Sequence, residues 1–200
     1  MTTKKENIIP VCDLCGNKEC INGKDCFASA EANLSEYTGE NLTLARAASE
    51  IEGRYYMQKT RLEEVILFSK EMNYKKLGIA FCVGLAEEAK LLAKFLRLEF
   101  DVVSVCCKMG GIRKDRLGLE KIDDEKDEVM CNPIGQAEIL NREGTDLNLI
   151  CGLCIGHDIQ FTKHSRSPVS TFIVKDRVLA HNPAGSLYCR YLRKRFPGQQ

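Results

Sequence analysis

Between Lys76 and Gly110 the chain carries two short, almost unbroken apolar runs, KLGIAFCVG and DVVSVCCKMG. Runs of this kind predict strands buried on both faces. Between them lies LAEEAKLLAKFLRLEF, in which Leu85, Ala89, Leu92, Ala93 and Leu96 recur every three or four residues, the period of an amphipathic helix. A strand–helix–strand crossover of this size is right-handed and lays its two strands parallel. A charged, irregular stretch follows, GIRKDRLGLEKIDDEKDEVM. NPIGQAEILNREG then predicts a helix with Pro133 in its first turn and Gly144 at its end. TDLNLICGLC predicts a third strand. PVSTFIV and RVLAH predict a fourth strand and a hairpin partner joined at Lys175–Asp176, although that turn lacks Gly or Asn. SLYCRYLRKRF closes the chain as a helix. Upstream, Leu42, Leu44, Ala45, Ala48 and Ile51, then Tyr55, Leu62, Val65, Ile66 and Phe68, predict one helix or two broken near Gly53 over residues 42–72, with the Tyr and Met residues packed in a core.

The pattern sums to an α/β protein with a mostly parallel sheet of about four to five strands flanked by helices. The layering expected is Rossmann-like or flavodoxin-like. The α/β domain is expected over residues 31–200, with a helical lead-in at 42–72 and the sheet from 77 on. Residues 1–30, which lack this texture, form a separate cysteine-rich module.

Composition then excludes several function classes. The chain's 200 residues suffice for one good-sized domain and a small appendage. An apolar share of 44% and a charged share of 28% are ordinary for a globular protein. No apolar run approaches the ~18 residues of a membrane helix, and MTTKKENIIPV lacks the apolar stretch of a secretory signal. The expectation is a cytoplasmic protein without a membrane partner. A net charge of +1 supplies no bulk field for nucleic acid. The basic cluster RYLRKRF reads as the solvated face of a terminal helix.

Cysteine is the outlier, with eleven in the chain. Four fall in VCDLCGNKECINGKDC, spaced Cys-x2-Cys-x4-Cys-x5-Cys. Disulfides are rare in a reducing compartment, so the cytoplasmic reading turns Cys12, Cys15, Cys20 and Cys26 towards a metal. An all-thiolate set suits zinc or a [4Fe-4S] cluster and disfavours magnesium or calcium. The spacing approaches that of a zinc knuckle, with Cys20 in place of the histidine. Knuckles grip single-stranded RNA through aromatic side chains, and here only Phe27 is at hand, which argues against nucleic acid.

The remaining cysteines follow the strands. Cys82 ends the first, Cys106 and Cys107 the second, and Cys151 the third; Cys131 precedes a helix, and Cys154 follows Cys151 by three residues. Ligands of open α/β sheets bind outside the carboxyl ends of the strands. Parallel strands would therefore gather Cys82, Cys107, Cys131, Cys151 and Cys154 into a second thiolate site. A [4Fe-4S] cluster is the candidate cofactor there. Cys107 is favoured over Cys106, because adjacent strand residues point to opposite faces. Cys189 reads as structural. His157 and Asp158 in CGLCIGHD, His181 in HNP, and Lys108, Lys163 and Lys175 are candidates for the first or second shell, with Arg113 and His164 less favoured. Cys-x-x-Cys at Cys151 and Cys154 also admits a thiol redox pair.

The cysteine module, GIAFCVGLAEEAKLL, VCCK, MCNPIGQAEILN, GLCIGHD and KDRVLAHNP together resemble a cysteine-rich family of unknown function described as predicted metal-binding proteins of archaea and anaerobic bacteria. The resemblance runs nearly end to end. It implies metal binding and supplies no reaction. Two function classes follow. One is a metal- or cluster-binding module acting as carrier, sensor or electron-transfer partner. The other is an enzyme with a cluster on three cysteines and an open coordination position, of the desulfidase or sulfur-transfer type. The expected partners are a metal or cluster, a small sulfur-containing substrate, or a redox partner.

Overall fold

The computed structural model describes residues 10–198; the first nine residues of the predicted module, with most of the MTTKKENIIPV start, and the last two of the chain lie outside them. The chain divides into two compact units, Met1–Arg54 and Tyr55–Gln200.

The first unit holds two 3-10 turns, Cys12–Leu14 and Glu19–Asn22, then helices α1 (Ala30–Leu34) and α2 (Gly39–Tyr55, which runs one residue into the second unit). Among its described residues only Ala47 is buried. Tyr37, Leu34 and Phe27 are exposed. One buried side chain among the described residues gives them no hydrophobic core to order them.

The second unit is an α/β domain. Its elements are α3 (Arg61–Glu71), β1 (Lys76–Phe81), α4 (Ala86–Leu96), β2 (Asp101–Cys106), α5 (Pro133–Glu143), β3 (Leu147–Cys151), α6 (His157–His164), β4 (Val169–Ile173), α7 (Gly185–Tyr188) and α8 (Arg190–Arg193). The four strands form one sheet in the order β2-β1-β3-β4, and every pair is parallel. This is a doubly wound order: the chain leaves β1 towards β2 and leaves β3 towards β4, so the switch point lies between β1 and β3. Right-handed crossovers place α4 on one face and α5 with α6 on the other. The core is built as the apolar pattern requires. Leu85, Ala89, Leu92, Ala93 and Leu96 are all buried, as are Leu77, Ile79 and Ala80 of β1 and every residue of β3. Asn132 caps α5, its Oδ1 accepting from Gly135 N at 2.9 Å, and Gly144 ends the helix at φ +65°. Among the described residues no helix is long and apolar enough to cross a membrane.

Three expectations need correction. The helical lead-in breaks after Tyr55, near Gly53 as expected, but the Tyr-Met segment at the break is not core. Met57 turns left-handed at φ +56°, and Thr60 opens α3 with a capping box closed by Glu63. Tyr56 and Met57 consequently sit on the surface rather than in a core. Second, RVLAH is not a strand. Asp176 Oδ1 accepts from Val178 N and Leu179 N, His181 N returns to Asp176 O at 2.9 Å, and Ala180 and His181 are left-handed, so Arg177–His181 curls into turns. β4 therefore pairs only with β3. Third, the closing helix is two short ones, interrupted by extended backbone at Cys189.

The β1–β3 seam carries one close approach. A Cβ on Gly78 would lie 2.0 Å from Asn148 Oδ1, which accepts from Thr145 Oγ1 at 2.7 Å while Asn148 Nδ2 donates to Ser165 Oγ at 2.8 Å. Asn148 is fully buried, so displacing its amide costs both packing and hydrogen bonds. Gly78→Ala should lower the stability of this domain by roughly 2–4 kcal/mol, read as a lower urea midpoint at unchanged slope.

Candidate functional site

The ladder of the sheet runs on past the strand ends and fixes the loops above them. Cys82 N donates to Cys151 O at 3.1 Å, Cys107 N to Phe81 O at 2.8 Å, and Asn132 N to Cys107 O at 2.7 Å. Gln136, fully buried on α5, donates from Nε2 to Val105 O at 2.7 Å and Phe81 O at 3.2 Å, tying β2 to β1 just below the edge.

Above this frame stand three thiols. Cys107 is 1% exposed and lies at the centre; its Sγ is 3.6 Å from Cys131 Sγ, accepts from Val83 N at 3.3 Å, and shares a hydrogen bond with Cys82. The middle thiol keeps its proton: bonds to Cys131 and Cys82, then burial, push Cys107 far above the usual thiol range. The outer two lose theirs. The Cys107 hydrogen bond, then the Gly84 amide and Lys175, pull Cys82 down to about 5. The same Cys107 bond, then Lys108 and His157, pull Cys131 down to about 6. Lys175 comes from the segment after β4 and its Nζ lies 3.3 Å from where a Cβ on Gly84 would stand, so it reaches across the end of β3 to the loop after β1.

The other predicted members are placed differently. Cys151 is wholly buried, and burial pushes it up to about 11. Cys154 is half-buried and raised by burial, opposed by Arg177, whose Nη2 donates to Cys154 Sγ at 2.8 Å. Cys106 is half-buried and Cys189 exposed. His157 opens α6 beside Cys131, and its Nδ1 is shut off from solvent without a hydrogen-bond partner. Asp158 accepts from Ile159 N, and His164 Nδ1 bonds locally to Gln160 O. His181 Nδ1 accepts from Asp176 N at 3.2 Å and locks the turn. Lys163 is exposed, and Arg113 pairs with Asp127.

In the first unit Cys12, Cys15, Cys20 and Cys26 are all exposed. Their thiols make only local bonds, such as Cys15 Sγ to Asn17 Oδ1 at 3.2 Å and Cys20 Sγ to Lys18 O at 3.7 Å. Lys18, left-handed at φ +45°, donates from Nζ to the carbonyls of Cys15 and Cys12. Asp25 accepts from the amides of Phe27, Ser29 and Ala30, and these bonds hold its carboxyl below the usual range. All eleven cysteines are free thiols. Among the described residues no three His, Cys, Asp or Glu side chains stand around a common centre as a metal site would require.

The family model described as Protein of unknown function (DUF1847) matches residues 21–172. The chain belongs to this family. Its similarity extends to Uncharacterized protein MJ0455 of Methanocaldococcus jannaschii, 57% identical over 186 residues that cover 92% of this chain and 96% of that protein. No solved structure matches the chain. The matched stretch contains Cys82, Cys107, Cys131, Cys151 and Cys154, and begins after Cys20.

Two contributors escaped the sequence reading. Arg177 was read as strand; as a turn residue two positions past Lys175, KDR would have marked it. Gln136 interrupts the apolar face of α5 between Pro133 and Leu140, and a polar residue there signals a buried hydrogen bond.

Two thiolates should therefore form well below the ~8.5 of an ordinary thiol. Followed by thiolate ultraviolet absorbance, the native metal-free chain should show two steps, near about 5 and about 6. Both thiols are protonated below these steps and anionic above them. The unfolded chain should show neither step, and Cys107→Ala, which removes the shared donor, should move both upwards.

Proposed function

We propose that this chain is a metal-binding protein with two thiolate sites: Cys12, Cys15, Cys20 and Cys26 in the first unit, and Cys82, Cys107 and Cys131 at the carboxyl edge of the sheet. The observation that carries the second site is the convergence of three thiols from three separate loops, two of them 3.6 Å apart at sulfur. Two thiolates on one tetrahedral zinc, each at ~2.3 Å, stand about 3.8 Å apart. Ligands to different irons of a cluster stand much farther apart, so this pair favours a single soft ion over the [4Fe-4S] cluster first considered there. Binding requires the thiol rotamers to turn inwards and Cys107 to give up its proton, as thiolate ligation always does. His157 Nδ1, buried and unpartnered beside Cys131, is the natural fourth donor or, if it stays back, leaves a position open for substrate.

An open position of that kind would suit the enzyme alternative, in which Cys82, Cys107 and Cys131 would hold the metal and it would supply a Lewis acid for a sulfur or oxygen donor of a small substrate. A thiol redox role would fall to Cys107 and Cys131 rather than to Cys151 and Cys154, because Cys151 is buried and its thiol is raised. For the first unit, the lack of a core supports a zinc or [4Fe-4S] site that supplies the missing order.

With Cys12, Cys15, Cys20 and Cys26 all changed to Ser, the anaerobically purified chain should retain one metal ion, measured by elemental mass spectrometry. Adding Cys107→Ser should remove it. A quadruple variant that folds and carries no metal excludes the second site. In the wild type, chelation should open the first unit to trypsin at Lys18 and Lys24 while the sheet domain resists cleavage; equal resistance with and without chelator would mean that metal does not order that unit.

A further inference from the structure

Between Cys107 and Cys131 the chain leaves the sheet and returns to it. It runs out through Ile112 and Lys114 and comes back through Glu128 and Met130, with Lys114 N donating to Glu128 O at 2.9 Å and Met130 N to Ile112 O at 2.8 Å. The base is closed by Asn132 N on Cys107 O at 2.7 Å and by Lys108 Nζ on Val129 O at 2.6 Å. Cys107 and Cys131 therefore stand side by side at the neck of a closed excursion, their sulfurs 3.6 Å apart.

Backbones joined by such bonds lie about 5 Å apart, within the ~4.4–6.8 Å that separates the Cα atoms of a disulfide. The sulfur gap exceeds the ~2.05 Å of an S–S bond by about 1.5 Å, a distance that rotation of the half-buried Cys131 side chain takes up. The two thiols differ in access: Cys107 is 1% exposed, while Cys131 is partly open to solvent. The other thiols of the edge are less suited to this exchange. Cys106 precedes Cys107 on β2 and points to the opposite face, Cys151 is wholly buried, and the Cys154 thiol accepts from Arg177. Cys82, which also bonds to Cys107, is itself buried.

We propose that Cys131 and Cys107 form a reversible disulfide by exchange with a small-molecule disulfide, Cys131 reacting first and Cys107 resolving. The Cys131 sulfur attacks one sulfur of the small disulfide, whose S–S bond breaks and releases one thiol, which carries away the Cys131 proton. The Cys107 sulfur then attacks the Cys131 sulfur, breaks the mixed disulfide and releases the second thiol, which takes the Cys107 proton. Two protein thiols are oxidised and one small disulfide is reduced to two thiols. The bond itself needs no metal. Only its consequence rests on the metal reading: the disulfide removes two of the three proposed ligands, so oxidation switches that site off.

The test treats the full-length chain, freed of metal by a chelator under anaerobic conditions, with glutathione disulfide. Remaining thiols are alkylated and tryptic peptides are mapped by mass spectrometry. The native chain should yield a cross-link between the peptides Leu98–Lys108 and Asp127–Arg142, lighter by two hydrogens and reversed by dithiothreitol. Cys106→Ser, which removes the other thiol of the first peptide, should keep the link. Cys107→Ser should lose it and leave Cys131 as a mixed disulfide with glutathione; should that variant fail to fold, the wild-type map decides by itself. Wild-type Cys131 left as the glutathione adduct, Cys107 joined to Cys82 instead, or a link that forms only in urea overturns the proposal. A zinc-loaded sample separates the two readings. A link that forms equally fast with and without zinc keeps the disulfide and discards the metal at these thiols. No link in the chelated chain overturns the disulfide and leaves the metal reading standing.

Discussion

Parallel pairing of β1 with β2 on one side and β3 on the other sets the position of every reactive group in the sheet domain. The carbonyl ends of all three strands meet one edge, and their next residues are Cys82, Cys107 and Gly152. Reversing β2 would carry Cys106 and Cys107 to the opposite edge, tens of ångströms of chain away from Cys82. The pairing is held by burial, with β1 covered on both faces and β3 buried at every position. Gln136 and Asn148 add hydrogen bonds whose loss inside the core would leave polar groups unpaired. The chemistry at the edge thus inherits its precision from apolar packing below it.

Electrostatics at that edge follows from burying one thiol between two others. Cys107 is buried away from water, so its proton stays on sulfur, and the hydrogen bonds it shares with Cys131 and Cys82 favour the anions there. Amides of the loop after β1 add further donors. The countercharges arrive from elsewhere in the chain: Lys108 from the loop after β2, Lys175 and Arg177 from the segment after β4. Strand polarity positions the sulfurs; loop geometry positions their charge partners.

That division explains what the sequence disclosed. Strands β1, β2 and β3, helix α4 and the capped helix α5 were legible because unbroken apolar runs, helical spacing and Asn-Pro and Gly signals report directly on burial and backbone. Convergence of Cys82, Cys107 and Cys131 was legible from topology alone. Its details were not: the burial of Cys151 and the turn at Asp176–His181 depend on long-range packing and on left-handed residues, Ala180 and His181, that carry no Gly signature. The Tyr-Met pair at the end of α2 has the composition of a core segment, but a left-handed Met57 places it in a break. For Cys12, Cys15, Cys20 and Cys26 the sequence shows spacing, and the structure shows exposure and local bonds.

That Ala47 is the one buried side chain among the described residues of the first unit has a calorimetric consequence. Heat-capacity change on unfolding scales with apolar surface newly wetted, about 12–15 cal/mol/K per residue in ordinary domains. A segment that hides little contributes little. The melting endotherm of this chain should therefore report the size of its sheet domain alone, near 2 kcal/mol/K rather than the larger value its full length would suggest, about 2.4–3 kcal/mol/K.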